Sequence, residues 1–196
     1  MIASAGSKTA ALLQLLKETG MRVGEASRLR WTEVDLKRHI IMMNEPEKGG
    51  NARIFKVSEK LTRMLEAMPS KSERVFRKSN ARSKDYTFYN TRKFAARKFG
   101  NPRLMRIHFH TLRHWKATME YHKTKDLLHV MQLLGHKRVD TTLLYIQLEK
   151  ALFTDAESDD FTVRVARTQE DIKGLLEVGF DYVCETDDLI FFRKRR

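Results

Sequence analysis

Leu134-Gly-His136-Lys-Arg-Val-Asp-Thr-Thr-Leu-Leu-Tyr145 is the stretch on which the reading of this chain turns. His136 and Tyr145 lie nine positions apart. Nine residues on one continuous helix turn through about 900°, which would leave the two side chains on opposite faces. Gly135 breaks that helix, Lys137-Arg138 extends the chain, and a new helix starts near Asp140 or Thr141. The histidine then sits in a loop before the helix that bears the tyrosine, so both can face one site.

Upstream of this stretch, the pattern predicts helices over about His110–His122 and Asp126–Leu134, and downstream one over Val139–Leu152. Near the start, Ser7 is placed to cap a helix with an apolar stripe of Leu12, Leu13, Leu15 and Leu16, ended by Gly20. A second helix follows over Val23–Arg30. His39–Met43 and Ala52–Val57 read as strands joined across Asn44–Asn51, which holds turn residues. Ser58 caps a helix to about Met68, and Pro69 stops it. Residues 70–84 read as a polar, basic connection. A helix over Asp85–Phe99 is expected to place Phe88, Phe94 and Phe99 inward. The fold class is α+β: a mainly helical domain over 1–153 with a small antiparallel hairpin. An acidic linker is expected over 154–160, followed by a short βαββ extension over 161–196. In that extension Thr168-Gln-Glu-Asp171 has the form of a capping box. So small a unit cannot hold itself together, and its apolar face (Phe161, Val163, Leu175, Leu176, Phe180, Ile190) is expected to dock on the body of the chain, in cis in a free monomer, or on a second subunit in trans on DNA.

The formal net charge of +13 is unevenly spread. Residues 151–196 hold 11 acidic and 7 basic side chains, leaving a net of +17 on residues 1–150. A body so basic fits a polyanion, and nucleic acid fits better than an anionic membrane because the charges are not gathered on one amphipathic helix. No apolar run is long enough to span a bilayer. The single cysteine, Cys184, excludes an internal disulfide framework and points to a reducing, cytoplasmic setting.

Five segments carry chemistry-bearing residues: Thr19-Gly-Met-Arg22-Val-Gly-Glu25, Lys48-Gly-Gly-Asn-Ala-Arg53, His110-Thr-Leu-Arg113-His114-Trp-Lys-Ala-Thr118, Leu134-Gly-His136 and Thr141-Thr-Leu-Leu-Tyr145. Each residue has a plain alternative. A hairpin lysine is usually solvated, an arginine at a helix start is usually surface charge, and a tyrosine in an apolar run is usually core. His110 and His114 at helical spacing invite zinc, but the glutamate of the metalloprotease motif is missing and no third ligand is evident.

In order and spacing, however, the five segments resemble the boxes of the tyrosine recombinases, the phage-integrase-like enzymes. The resemblance covers residues 7–150. It implies a site-specific DNA recombinase or integrase that cleaves and rejoins strands through a 3′-phosphotyrosine. By that resemblance Tyr145 is the nucleophile, and Arg22 and Arg113 hold the non-bridging phosphate oxygens. His110 is the base, His136 donates to the phosphate or orients it, and Lys48 is the general acid. Glu25 and His114 support them from behind. The chemistry fits these types: planar guanidinium forks suit phosphate oxygens, and tyrosine, with a pKa near 10, needs help to attack. No cofactor or metal is implied. The partners implied are double-stranded DNA and further copies of the chain, as a tetramer on DNA, with a nucleoid-associated location.

The family's helical core-binding domain is expected to be absent, since the chain begins almost at the TGxR helix. The tail resembles the C-terminal extension of some archaeal integrases. Two other functions stay open: a supercoil-relaxing topoisomerase, disfavoured by the missing clamp, and a non-catalytic DNA-binding remnant or regulator.

Overall fold

The computed structural model describes residues 1–68, 72–76, 81–157, 161–186 and 189–195, with the side chains of 48, 81–83, 154–157, 161, 185, 186, 189 and 195 excepted. These residues divide into two compact units, Met1–Gln147 and Leu148–Arg196.

The first unit is organised by helix α1 (Ser7–Thr19), in which Ala10, Ala11, Leu12, Leu13, Leu15 and Leu16 are all buried. A helix apolar on so many sides belongs in the middle of a domain. Its N-cap is Gly6 and not Ser7, which is the first helical residue; no side chain caps this end. At the other end Gly20 adopts φ 68°, and its N–H closes the last turn on the Leu16 carbonyl. The short helix α2 (Val23–Arg28) follows.

A three-stranded antiparallel meander packs on this pair: β1 (Val34–Asp35), β2 (Ile40–Met43) and β3 (Arg53–Lys56), in that spatial order. Strand β1, two residues long, is too short to leave an alternating pattern in the sequence. Ile41 pairs with Phe55 and Met43 with Arg53, and all four point into the unit. Ile54 points out, 72% exposed. Helix α3 (Glu59–Glu66) starts at Ser58, whose hydroxyl accepts the Leu61 N–H, and buries Leu61 and Leu65.

The connection expected over 70–84 is less plain than its composition. Val75 and Phe76 are core residues, and Arg74 forms a bridge with Arg30. Helix α4 (Ala81–Lys98) starts earlier than expected, taking up residues 81–84. Residues 69–71 and 77–80 lie outside the described set. Of the three phenylalanines expected inward, only Phe88 is buried. Phe94 and Phe99 are 55% and 54% exposed. For Phe94 the reason is the helical period: Phe88, Thr91, Arg92 and Ala95 share the buried face, and Phe94 lies well off it, whereas Phe99 lies just past the end of the helix. Phe88 stacks on Phe109 with ring centroids 4.4 Å apart.

Helix α5 (Phe109–Thr124) packs along α1, and α6 (Leu127–Leu134) follows, its start capped by Asp126. Gly135, at φ 68°, ends α6, and α7 (Asp140–Glu157) begins beyond a short loop. The break expected between His136 and Tyr145 is therefore present. Helix α7 continues through 154–157, which the acidic composition marked as linker; residues 158–160 lie outside the described set. No helix among the described residues is long and apolar enough to cross a membrane.

In the second unit, β4 (Phe161–Ala166), α8 (Gln169–Glu177), β5 (Asp181–Thr186) and β6 (Leu189–Arg195) form the expected βαββ arrangement. The sheet order is β4-β6-β5, antiparallel throughout. The capping box forms as read: the Thr168 hydroxyl accepts the Asp171 N–H, and the Asp171 carboxylate accepts the Thr168 N–H. Among its described residues Ala166 and Phe192 are the buried apolar side chains, while Val163 and Leu176 are more than half exposed.

Leu13→Ala, which empties a fully buried position of α1, should destabilise the protein by about 2–5 kcal/mol. Ile54→Ala, on the outer face of β3, should shift stability by less than about 0.5 kcal/mol. Urea unfolding of the two variants checks the strand register: similar losses in both would show that it is wrong.

Candidate active site

Glu25 has no exposed surface. One turn into α2, its carboxylate reaches back to the Arg22 N–H at 2.9 Å and to the Arg22 guanidinium at 3.3 Å. It also accepts from the Arg53 guanidinium at 2.7 Å and from the Glu47 N–H at 3.2 Å. Burial pushes its carboxyl upward, but the backbone N–H of Arg22, the charge of Arg53 and the N–H of Glu47 together hold it below the usual carboxylate range. Glu25 is therefore an ionised carboxylate that ties α2 to β3 and to the hairpin turn.

Arg53 completes the tie. Its other prong donates to the Leu134 carbonyl at 2.8 Å, and its side chain is 4% exposed. The same carbonyl accepts from Arg113 at 2.8 Å. Arg113, on α5, also donates to the Gly20 carbonyl at 2.7 Å. The ends of α1 and α6 are thus held by one guanidinium. Burial, and then repulsion from Arg22, holds the Arg113 pKa down to about 10, so it stays charged at neutral pH.

His136 lies just past Gly135. Its Nε2 is 3.0 Å from Arg113 Nη2 and its Nδ1 is 3.0 Å from the Thr142 hydroxyl. Arginine only donates, so Nε2 accepts, and the ring proton resides on Nδ1 and is given to Thr142. Burial and the arginines Arg113, Arg22 and Arg53 hold its pKa down to about 4. His136 is a neutral imidazole that orients Arg113 in this state.

Tyr145 lies on α7 and is 2% exposed. Burial raises its pKa, against the pull of Arg113 and Arg22. The ring against it is that of His114, 5.8 Å away between centroids, and His114 in turn lies 6.1 Å from His110. His114 Nδ1 is buried without a hydrogen-bond partner among the described residues. His110 is exposed and lines an open cleft with Val23, Asp85, Arg92 and His108. Lys48 sits in a helical turn of three residues, Glu47–Gly49; its side chain lies outside the described set. That turn approaches the His136 loop closely, since a Cβ at Gly50 would stand 2.9 Å from the Gly135 carbonyl.

The structure thus brings together Arg22, Glu25, Arg113, His114, His136 and Tyr145, with the Lys48 backbone alongside. Two participants carried no assignment in the sequence reading. Arg53 was legible as an arginine in the inward register of a strand, beside Phe55. Thr142 was legible only as part of the Thr-Thr pair.

A cluster of arginines around one carboxylate thus lies beside a tyrosine carried on a helix, in a mainly helical domain. Residues 2–151 match the phage integrase family, and the chain belongs to that family. It is 30% identical over 151 residues to tyrosine recombinase XerC of Xanthomonas campestris, covering 74% of this chain and 45% of that one. It is 28% identical over 138 residues to tyrosine recombinase XerA of Thermococcus onnurineus, covering 68% and 49%. The chain spans about half the length of these curated relatives. Among solved structures, a XerA recombinase matches in fold with TM-score 0.62 and 24% identity, covering 79% of this chain and 60% of that one. XerH bound to its difH substrate matches with TM-score 0.57 and 25% identity, covering 81% and 48%.

Glu25→Ala should cost about 3–5 kcal/mol in urea unfolding, because it leaves buried guanidinium charge uncompensated. A loss below about 1 kcal/mol would show that the cluster is not stabilised through Glu25. The neutral state of His136 has a consequence for pH. Its folded pKa of about 4 lies below the ordinary histidine value of 6.5, so its contribution is fully present above pH 6.5 and is lost as pH falls towards 4. His136→Gln should flatten the stability profile across that window, and an unchanged profile would mean that the ring is not held neutral.

Proposed function

We propose that this chain is the catalytic domain of a site-specific DNA recombinase or integrase. It would cleave and rejoin DNA strands through a 3′-phosphotyrosine. The observation that carries this reading is the site itself: Arg22, Arg53 and Arg113 surround the single carboxylate of Glu25, next to Tyr145. Two positive charges in excess, held in a largely buried site, form a ready receptor for one phosphodiester.

In the reaction, the Tyr145 oxygen attacks phosphorus and the bond to the 5′-oxygen breaks. Arg22 and Arg113 neutralise the phosphoryl oxygens. Lys48, on the hairpin turn, gives its proton to the leaving 5′-oxygen. His110 takes the tyrosine proton, and His114, which lies against the tyrosine ring, orients the two. His136 holds Arg113 in place, and Glu25 holds Arg22. The phosphate ester energy is kept in the tyrosine link, so rejoining to another 5′-hydroxyl needs no nucleotide. The roles assigned to Lys48 and His110 rest on the family pattern.

Double-stranded DNA is the partner; the +17 body supports this, as does the likeness to a XerH bound to its difH substrate. Assembly as a tetramer on DNA, a nucleoid-associated location in the cytoplasm, and trans docking of the βαββ unit on a neighbouring protomer belong to the same proposal. A second reading, a DNA-binding protein without catalysis, is favoured by the burial of Tyr145.

A nicked suicide substrate separates the two. Wild-type protein should form a covalent adduct on a denaturing gel, and Tyr145→Phe should form none while binding DNA with unchanged affinity. Adduct formation by the variant would remove Tyr145 from the reaction, and no adduct with wild type on any tested site would favour the binder.

A further inference from the structure

The turn that carries Lys48 is attached to the domain by a contact that the reaction scheme does not use. Glu47 precedes the lysine. Its carboxylate accepts from Arg28 at 3.0 Å, across from α2, and its N–H donates to Glu25 at 3.2 Å. The carboxylate lies over Gly24, where any Cβ would collide with it. On the other side of the turn, Gly50 sits against the Gly135 carbonyl. A hairpin tip rich in glycine has many conformations, and loses entropy when one is chosen. Here the tip is held from both sides, by a charged pair towards α2 and by close backbone contact towards the His136 loop.

We propose that Glu47 is a positioning residue. Seated on Gly24 and paired with Arg28, it latches the Lys48 turn against the arginine cluster, so that the general acid is in place when the phosphodiester arrives. This rests on the reading of Lys48 as the general acid. The pair with Arg28 is about one-third exposed at both ends, so its effect lies in the geometry of the turn and little in stability. Gly24 belongs to the device because only a residue without a side chain leaves room for the carboxylate at the surface of α2. The Glu25 carboxylate takes part twice, holding Arg22 by its side chain and the turn by the Glu47 N–H.

The test uses two substrates with the full chain: an ordinary suicide phosphodiester, and the same DNA with sulfur replacing the bridging 5′-oxygen. The thiolate leaves without needing a proton, so a defect in general-acid delivery disappears on the sulfur substrate. Lys48→Met should slow cleavage of the phosphodiester about a hundredfold or more and be restored on the sulfur substrate. Glu47→Ala, Arg28→Ala and Gly24→Ala should each slow the phosphodiester by about tenfold, a fraction of the general-acid effect, and should likewise be restored. Equal slowing of Glu47→Ala on both substrates would show a merely structural role, and unchanged cleavage on both would remove the latch. Failure of Lys48→Met to be restored would overturn the general-acid assignment and the latch with it. Amide hydrogen exchange on the DNA-free protein gives a second reading independent of cleavage. Residues 49–51 should exchange faster in Glu47→Ala than in wild type, and identical exchange would overturn the latch.

Discussion

The carbonyl oxygen of Leu134 accepts hydrogen bonds from two buried guanidinium groups, those of Arg53 and Arg113. Much of the site depends on that shared acceptor. Leu134 is the last residue of α6, where the carbonyl groups have no partner within the helix. An unmet helix end would be costly when buried; here it receives two charged donors. Through Arg53 it is linked to Glu25 and so to α2 and the Lys48 turn. Through Arg113 it is linked to the end of α1, to His136 and, through His136 and Thr142, to the helix that carries Tyr145. Segments distant in the chain converge on a few hydrogen bonds, all but that between His136 and Thr142 charge-assisted.

Much of this organisation was legible in the amino-acid sequence. The apolar stripe of α1, the glycines that end α1 and α6, and the spacing from His136 to Tyr145 were sufficient to place the helices and the break between them. The candidate site residues were legible as boxes, because their types, order and spacing resemble those of the family. What the sequence hid has physical causes. Strand β1 is too short for a period to register. The first turn of α4 is masked by its charge. Val75 and Phe76 are two apolar residues in a basic setting, and their burial depends on tertiary contacts. The pair His110 and His114 shows the same limit at the site: spacing places them on one helix, but only the packing of α7 on α5 puts His114, and not merely His110, beside the tyrosine.

The two units follow different rules. The first is built on a helix buried on most sides, with a large common core. The second is small, with Ala166 and Phe192 as its buried apolar side chains among those described, and its regularity comes from backbone pairing and from a well-formed cap on α8. A sheet of three strands with one short helix is near the lower limit of what holds together. Its charge differs in sign from that of the rest of the chain, so the same solution conditions act on the two units in opposite electrostatic senses.

Under the proposed function, the burial of Tyr145 bears on how the protein would treat DNA met at random. A phenol packed against His114 and almost without exposed surface would, as the proposed nucleophile, react only in the fraction of molecules that had released it. If that fraction were about one in a hundred, encounters with arbitrary DNA would be about a hundredfold less productive, and a site that captures the released form would recover the whole factor. In a protein that acts as proposed, concealment of the tyrosine would thus be a proofreading step taken before any bond is broken. It would discriminate by how well the DNA captures the released form.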